Sequence, residues 1–221
     1  MLAERDRPES DLSDQEVAGN VLTMLLAGED TTANSLAWTI YLLRQNPAAE
    51  ARLRTELAEV LGSRELPDDS ELLARLKYTE ACASEAMRLK PVAPFQPAEA
   101  NRDTQVGDVR VPRGTVVLGL ARPNAIDERY FPQAGAYRPE RWLAGDGRAS
   151  AGERISIPFG AGPRICPGRY LALQEMKLVL AMLFRNFRIA SLTGDDGGSV
   201  EEELAFTMSP SRLVLTLTAA T

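Results

Sequence analysis

Residues 159–168 (Phe-Gly-Ala-Gly-Pro-Arg-Ile-Cys-Pro-Gly) restrict the local structure of this chain more than any other segment. The three glycines permit positive φ angles, and the two prolines fix φ and remove amide donors. The segment can therefore continue neither a helix nor a regular strand. It predicts a loop that presents one cysteine, Cys166, and one arginine, Arg164, against otherwise apolar neighbours.

Two interpretations of Cys166 are open at this point. A single cysteine is most often a small buried hydrophobic residue, and residue type alone favours that role. In a tight loop, however, backbone amides that point inward can stabilise a thiolate, apolar neighbours limit water, and Arg164 can bind a carboxylate. Those are the requirements of a cysteine that ligates haem iron beside an arginine that binds a haem propionate.

The pattern around the cysteine decides between these interpretations. Read as F-x-x-G-x-R-x-C-x-G, it resembles the haem-binding signature of the cytochrome P450 family at all five fixed positions. The resemblance implies haem b as cofactor, an axial iron ligand at the cysteine and a propionate at the arginine. It also implies that the phenylalanine packs near the cysteine, that the second glycine allows a sharp turn, and that the last one lets the next helix start close to the porphyrin. The five positions are Phe159, Gly162, Arg164, Cys166 and Gly168.

A second motif, Ala27-Gly28-Glu29-Asp30-Thr31-Thr32, lies inside the first long helical pattern. Glycine and β-branched threonine are poor helix formers, and Thr31 can bond the carbonyl of Ala27 and distort the helix locally. The plainer alternative is an ordinary polar face of an amphipathic helix. The segment resembles the family's A-G-x-[DE]-T-T oxygen-activation motif. On that resemblance Thr31 hydrogen-bonds bound dioxygen, Asp30 delivers protons, and Ala27 and Gly28 contact the cofactor.

Glu85-Ala86-Met87-Arg88 places an acid and a base three residues apart on one helix face. A surface pair of this kind would contribute only about 0.3 kcal/mol. The small apolar neighbours predict burial instead, and the segment resembles the family's E-x-x-R pair. Pro139-Glu140-Arg141-Trp142 resembles its P-E-R-[FW] segment. The resemblance implies a buried triad of Glu85, Arg88 and Arg141 with a structural role.

Hydrophobic periodicity predicts a mainly α-helical chain with small β-sheets, organised as one domain over residues 1–221. A capping box at Ser13 and Glu16 opens the first helix. Residues 121–152 predict an irregular meander. Helices are predicted over 14–44, 47–61, 69–74, 76–89 and from the cysteine loop to about 185, a hairpin over 106–111 and 115–118, and strands over 187–190 and 213–217. The resemblance implies the C-terminal portion of the cytochrome P450 fold, from the long central helix through the cysteine loop and the following helix, without the N-terminal half.

Composition excludes several classes of function. The chain has no histidine, which removes histidine-ligated zinc, histidine-based triads and histidine-ligated haem. A net charge of −6 without a basic run gives no support to nucleic-acid binding. Cys82 and Cys166 offer no disulfide framework, and residues 1–15 resemble neither a signal peptide nor a membrane anchor. We expect a cytoplasmic protein, and the arginines, 22 of the 25 basic residues, indicate a bacterial source.

The resemblance implies a haem-thiolate monooxygenase that inserts one oxygen atom from O2 into an apolar substrate. Electrons would come from NAD(P)H through a ferredoxin or a flavoprotein reductase, since no segment resembles a flavin or iron–sulfur module. Val92, Ala93, Phe95 and the groove at Ala27 and Gly28 are expected to line the substrate pocket. One alternative is a non-catalytic fragment, or half of a split protein, that does not bind haem stably alone. Another is peroxide-dependent chemistry, in which Thr31→Ala would leave turnover intact.

Overall fold

The computed structural model describes residues 1–143, 155–194 and 197–220. Two short 3-10 turns, Pro139–Trp142 and Gly162–Arg164, interrupt the irregular segments. The helices and strands of the described residues are, in chain order, α1 (Leu2–Arg5), α2 (Asp14–Gln45), α3 (Pro47–Leu61), α4 (Ser70–Arg75), α5 (Lys77–Leu89), β1 (Phe95–Glu99), β2 (Thr104–Val106), β3 (Val109–Val111), β4 (Val116–Leu120), α6 (Arg122–Ala125), α7 (Arg169–Asn186), β5 (Phe187–Thr193), β6 (Glu202–Leu204), β7 (Met208–Pro210) and β8 (Val214–Ala219).

Local sequence signals set the ends of the helices. The predicted capping box is present, because the Ser13 hydroxyl accepts from the Glu16 amide and the Glu16 carboxylate accepts from the Ser13 amide. Pro47 occupies the first turn of α3, and Gly62, at φ +59°, ends that helix. The helix bounds therefore lie within about two residues of the predicted ones.

The hydrophobic core lies between α2, α3, α5 and α7. Each of these helices contributes one apolar face, and burial of a leucine side chain stabilises the fold by about 1.5–3 kcal/mol. Fully or almost fully buried members are Leu43 from α2, Leu53, Leu57 and Leu61 from α3, Cys82, Ala83 and Ala86 from α5, and Leu180, Ala181 and Phe184 from α7.

Four two-stranded antiparallel sheets surround this core among the described residues. The sheet β5–β8 joins the two segments predicted as strands after the cysteine loop, and it carries an irregularity between Ile189 and Ser191. The hairpin β6–β7 was not predicted. It lies against α2.

The predicted pairing of residues 106–111 with 115–118 is wrong. The chain reverses one turn earlier, at Gly107 with φ +60°, so that β2 pairs with β3. The turn at Pro112–Thr115 is present, and the Ala100 amide donates to the Thr115 carbonyl beside it. The strand after this turn, β4, therefore pairs with β1 and not with β3, and Phe95 lies opposite Leu120. A local turn signal cannot distinguish these two partners.

None of the helices among the described residues is both long enough and apolar enough to cross a lipid bilayer.

Candidate functional site

The loop before α7 is closed by its own backbone. The Cys166 amide donates to the Phe159 carbonyl at 2.9 Å, and the Ile165 amide donates to the Gly162 carbonyl at 3.2 Å. Gly160 and Gly162 lie at φ +72° and +71°, the left-handed region in which a side chain would be strained. Phe159 is half-buried against the core. This segment, residues 159–168, is termed the cysteine loop below.

Gly168 does not need the positive φ that the sequence suggested. Its φ is −82°, and it caps the start of α7. A Cβ at this position would lie 3.8 Å from the Cys166 sulfur, at ordinary van der Waals distance. The glycine therefore keeps the space beside the sulfur free of a side chain.

The two cysteines lie in opposite environments. Cys166 is exposed at the end of the cysteine loop and its thiol is free. Cys82 is fully buried in α5, and burial raises the pKa of its thiol well above the usual range. Of the two thiols, that of Cys166 is therefore the one that a ligand from outside the core can reach.

Arg164 is exposed and makes neither a hydrogen bond nor an ion pair with any residue that the structure describes. Its guanidinium lies two residues before the cysteine and presents planar donors suited to a carboxylate. A guanidinium without a partner among the described residues fits the role of a carboxylate-binding group.

The motif on α2 lies where the exposed and buried parts of that helix meet. Asp30 is exposed and Thr31 is half-buried, and from Ser35 onward the helix contributes to the core. The Thr31 hydroxyl donates to the Ala27 carbonyl at 2.6 Å, as the sequence suggested, while α2 remains α-helical over all of its length. A Cβ added at Gly28 would meet no atom within 4 Å, so the surface there is open.

The same type of hydroxyl bond repeats along α2. Ser35 donates to the Thr31 carbonyl and Thr39 to the Ser35 carbonyl, each at 2.7 Å. These bonds satisfy the hydroxyls within the buried part of the helix, where an unpaired polar group would be costly. Because the hydroxyl proton of Thr31 is used in its own bond, its lone pairs remain available to accept a hydrogen bond.

Glu85, Arg88 and Arg141 meet in the structure. Glu85 and Arg88 are fully buried, with Arg88 Nη2 2.7 Å from Glu85 Oε1, and Arg141 Nε lies 2.9 Å from the same oxygen. The backbone amide of Arg138 also donates to Oε1 at 2.9 Å, and the indole of Trp142 donates to Oε2 at 2.8 Å. The Glu85 carboxylate thus accepts hydrogen bonds from α5 and from the 3-10 turn with its preceding residue.

Arg88 attaches the meander to the core through backbone carbonyls. It donates to the carbonyls of Ala125, Ala134 and Ala136, and its guanidinium lies 4.9 Å from the centre of the Phe131 ring. These acceptors could not be predicted, because any residue type supplies a carbonyl. The role of the Trp142 indole could more nearly be predicted, since Trp142 occupies the last position of the P-E-R-[FW] segment.

Comparison with known proteins assigns the family. The family model described as cytochrome P450 matches residues 1–217. This chain belongs to the cytochrome P450 family. It is 36% identical to cyclooctatin synthase of Streptomyces melanosporofaciens over 213 residues, which cover 96% of this chain and 45% of that protein. It is 40% identical to cytochrome P450 monooxygenase mpsF of Macrophomina phaseolina over 186 residues, covering 81% and 45% of the two chains.

Solved P450 structures share the fold. The crystal structure of a cytochrome P450 (CYP102L1) matches with a TM-score of 0.84 at 30% identity and covers 96% of this chain and 47% of that one. The cytochrome P450DA heme domain matches with a TM-score of 0.87 at 25% identity, covering 98% and 47%. The P450 fold expected from the sequence is confirmed, and the chain spans about half the length of these relatives.

Proposed function

We propose that this chain is the haem-binding portion of a P450-type monooxygenase, organised as one unit over residues 1–221. The observation that carries the proposal is the exposed, unpaired Cys166 thiol on a loop closed by its own backbone. A thiolate in such a loop is the donor that this family uses for haem iron.

The described residues fit haem b. Cys166 would supply the sulfur that holds the iron, and Arg164, which has no partner among the described residues, would bind a propionate carboxylate. Gly168 keeps side-chain atoms away from the sulfur, and Gly28 leaves the surface of α2 at its position open. Bound haem would supply O2 activation and the insertion of one oxygen atom into a C–H or C=C bond.

Asp30 and Thr31 are proposed to handle protons. The Asp30 carboxylate is exposed to solvent, so it can exchange protons with water. The Thr31 hydroxyl donates to the Ala27 carbonyl and can accept a hydrogen bond from a ligand in the groove. An acceptor hydroxyl beside an exposed acid would hold a proton near the reacting atoms without opening the core to water.

The proposed substrate is an apolar small molecule, oxidised with O2. Val92 is buried and Phe95 is 44% exposed, which leaves an aromatic surface at the start of β1 for a ligand. Electrons are proposed to come from NAD(P)H through a ferredoxin or a flavoprotein reductase. A bacterial cytoplasmic location is proposed from the arginine-rich composition and the two cysteines, Cys82 and Cys166, which offer no disulfide framework.

The test is a reduced carbon-monoxide difference spectrum of the purified chain supplied with haem. We expect a Soret band at the long wavelength typical of thiolate ligation in the unaltered chain and in Cys82→Ala. Cys166→Ser is expected to lose that band. A long-wavelength band that survives in Cys166→Ser would reject Cys166 as the ligand.

The second candidate is a non-catalytic fragment, or one half of a split protein, that does not hold haem alone. It is favoured by the apolar side chains exposed on the first half of α2 and by a match to about half the length of the P450 relatives. Loss of part of an apolar pocket weakens ligand binding by about 25 cal/mol per Å². This candidate predicts a flat spectrum for the chain alone and a long-wavelength band after addition of a polypeptide with the remaining half of the fold.

A further inference from the structure

The hairpin β6–β7 is attached to the helical core by one carboxylate. Glu202, at the start of β6, forms a hydrogen-bonded ion pair with Lys90 at the end of α5 and lies 2.7 Å from Nη2 of Arg122 on α6. The three side chains are only 24–31% exposed. Burial disfavours the charged carboxylate, but the two cations outweigh this and hold the pKa of Glu202 below its usual value.

The other strand of the hairpin is attached to α2. The Thr207 hydroxyl accepts from the Asn34 side chain at 2.8 Å, and the Met208 carbonyl accepts from the Trp38 indole at 3.2 Å. The Met208 amide donates to the Val92 carbonyl at 2.8 Å. Asn34 lies three residues after Thr31, so the hairpin contacts the turn of α2 that follows the oxygen-activation motif.

Lys90 joins the two attachments. Its ammonium binds Glu202 and also lies 4.7 Å from the centre of the Trp38 ring. The indole that this ammonium covers is the one that donates to Met208. The carboxylate on β6 therefore orients Lys90 over Trp38, and Trp38 holds β7.

We propose that Glu202 is a positioning residue that fixes the hairpin β6–β7 against α2 and thereby the surroundings of Thr31. This assignment rests on the proposed function for its purpose, since the position of Thr31 matters only if that hydroxyl serves the reaction. The physical link itself does not depend on haem. It needs two cations on different elements, a carboxylate that both contact, and a hydrogen bond donated to the hairpin by the helix that carries Thr31.

An ordinary surface ion pair would not act in this way. Exposed pairs contribute little net stability because water and salt screen them. Glu202 contacts two cations that are themselves held by α5 and α6, and it is shielded from most of the solvent. The neighbouring Glu203 on the same strand is exposed and has no ion pair with a described residue, which makes it a matched control.

Hydrogen exchange followed by mass spectrometry on the haem-free chain tests the proposal. We expect Glu202→Gln to speed exchange of the hairpin amides, residues 202–210, by about fivefold or more, the loss of roughly 1 kcal/mol. Residues 31–38 of α2 are expected to exchange faster as well. Glu203→Gln should change neither segment, and Glu202→Asp, which keeps the charge, should restore at least part of the protection.

A double-mutant cycle with Lys90→Met adds a second readout. The emission of Trp38 should change in Glu202→Gln and in Lys90→Met, and the two changes should not add, because both remove one interaction. Trp142 is the other tryptophan and binds Glu85 rather than the hairpin, so it is kept, and the change in emission relative to the unaltered chain reports on Trp38.

Each result of the exchange experiment has a different meaning. Faster exchange in the hairpin alone would overturn the link to Thr31, and faster exchange throughout α3 and α5 would show a general loss of stability instead. Equal effects of Glu202→Gln and Glu203→Gln would also overturn the proposal. Because the measurement uses no haem, its failure is distinct from a failure of the carbon-monoxide test.

Discussion

At the scale of single residues, Glu85 shows how a buried charge is stabilised. Its two oxygens accept from Arg88, Arg141, Trp142 and the amide of Arg138, so the carboxylate is fully hydrogen-bonded away from water. Such a network contributes little net stability compared with an apolar core, but loss of one member leaves an uncompensated charge. The arrangement fixes the meander in one position.

Arg88→Met is expected to lower the free energy of unfolding by about 3–5 kcal/mol, because Glu85 would lose its buried cation and three backbone carbonyls would lose a donor. Urea denaturation monitored by circular dichroism measures the change. Arg110→Gln serves as the control, since Arg110 lies 3.6 Å from Asp103 and both side chains are exposed. Its effect should stay below about 1 kcal/mol, and equal effects for the two variants would contradict the buried network.

At the scale of elements, α2 combines two different environments in one helix. Residues 18–30 are exposed and include five large apolar side chains, whereas Ser35, Trp38, Thr39, Ile40 and Leu43 are buried. The helix is continuous because its capping box and its backbone bonds do not depend on burial. Apart from the buried Val17 near its start, tertiary packing therefore stabilises mainly its second half.

Amides of residues 19–30 are therefore expected to exchange much faster than those of residues 36–43. The difference reflects local opening, which costs less where few buried contacts must be broken. Residue-resolved hydrogen exchange by NMR measures it. Uniform protection along the whole of α2 would mean that its exposed half is covered in solution.

The helices could be predicted closely, whereas the strand partners could not. The capping box, Pro47 and Gly62 act within a few residues of the ends that they determine. The pairing of β4 with β1 depends instead on contacts between residues distant in sequence, and both Gly107 and Gly114 offered a turn at which the chain could reverse.

The candidate site could likewise be predicted only in part. Cys166 and Thr31 stand in recognisable motifs, but Glu202 pairs with cations 80 and 112 residues away and has no local signature.

At the scale of the whole molecule, an apolar surface lies next to the candidate site. The first half of α2 exposes Leu22, Leu25 and Leu26, each by more than half of its area, and Ile165 in the cysteine loop is 41% exposed. Leu22, Leu25 and Leu26 share one helix face by their spacing. Exposed apolar side chains grouped on one helix face, as these leucines are, are typical of surfaces that bind another molecule.

The isolated chain is therefore expected to self-associate as its concentration rises. Leu22→Ser together with Leu25→Ser should shift sedimentation-velocity profiles toward the monomer, because these side chains lose their apolar contacts. Val109→Ser is the comparison, since Val109 is 60% exposed but lies on the separate hairpin β2–β3. A monomer at all concentrations, or an equal response to both changes, would contradict this prediction.

The attachment of β7 to α2 also has a consequence for the order of folding. Asn34 and Thr207 are 173 residues apart in the chain, and Trp38 and Met208 are 170 apart. At a synthesis rate of 5–20 residues per second, α2 leaves the ribosome roughly 9–35 s before its partner strand exists. The helix that carries Thr31 therefore lacks its β7 partner for this time, and contacts between residues so distant in sequence slow folding.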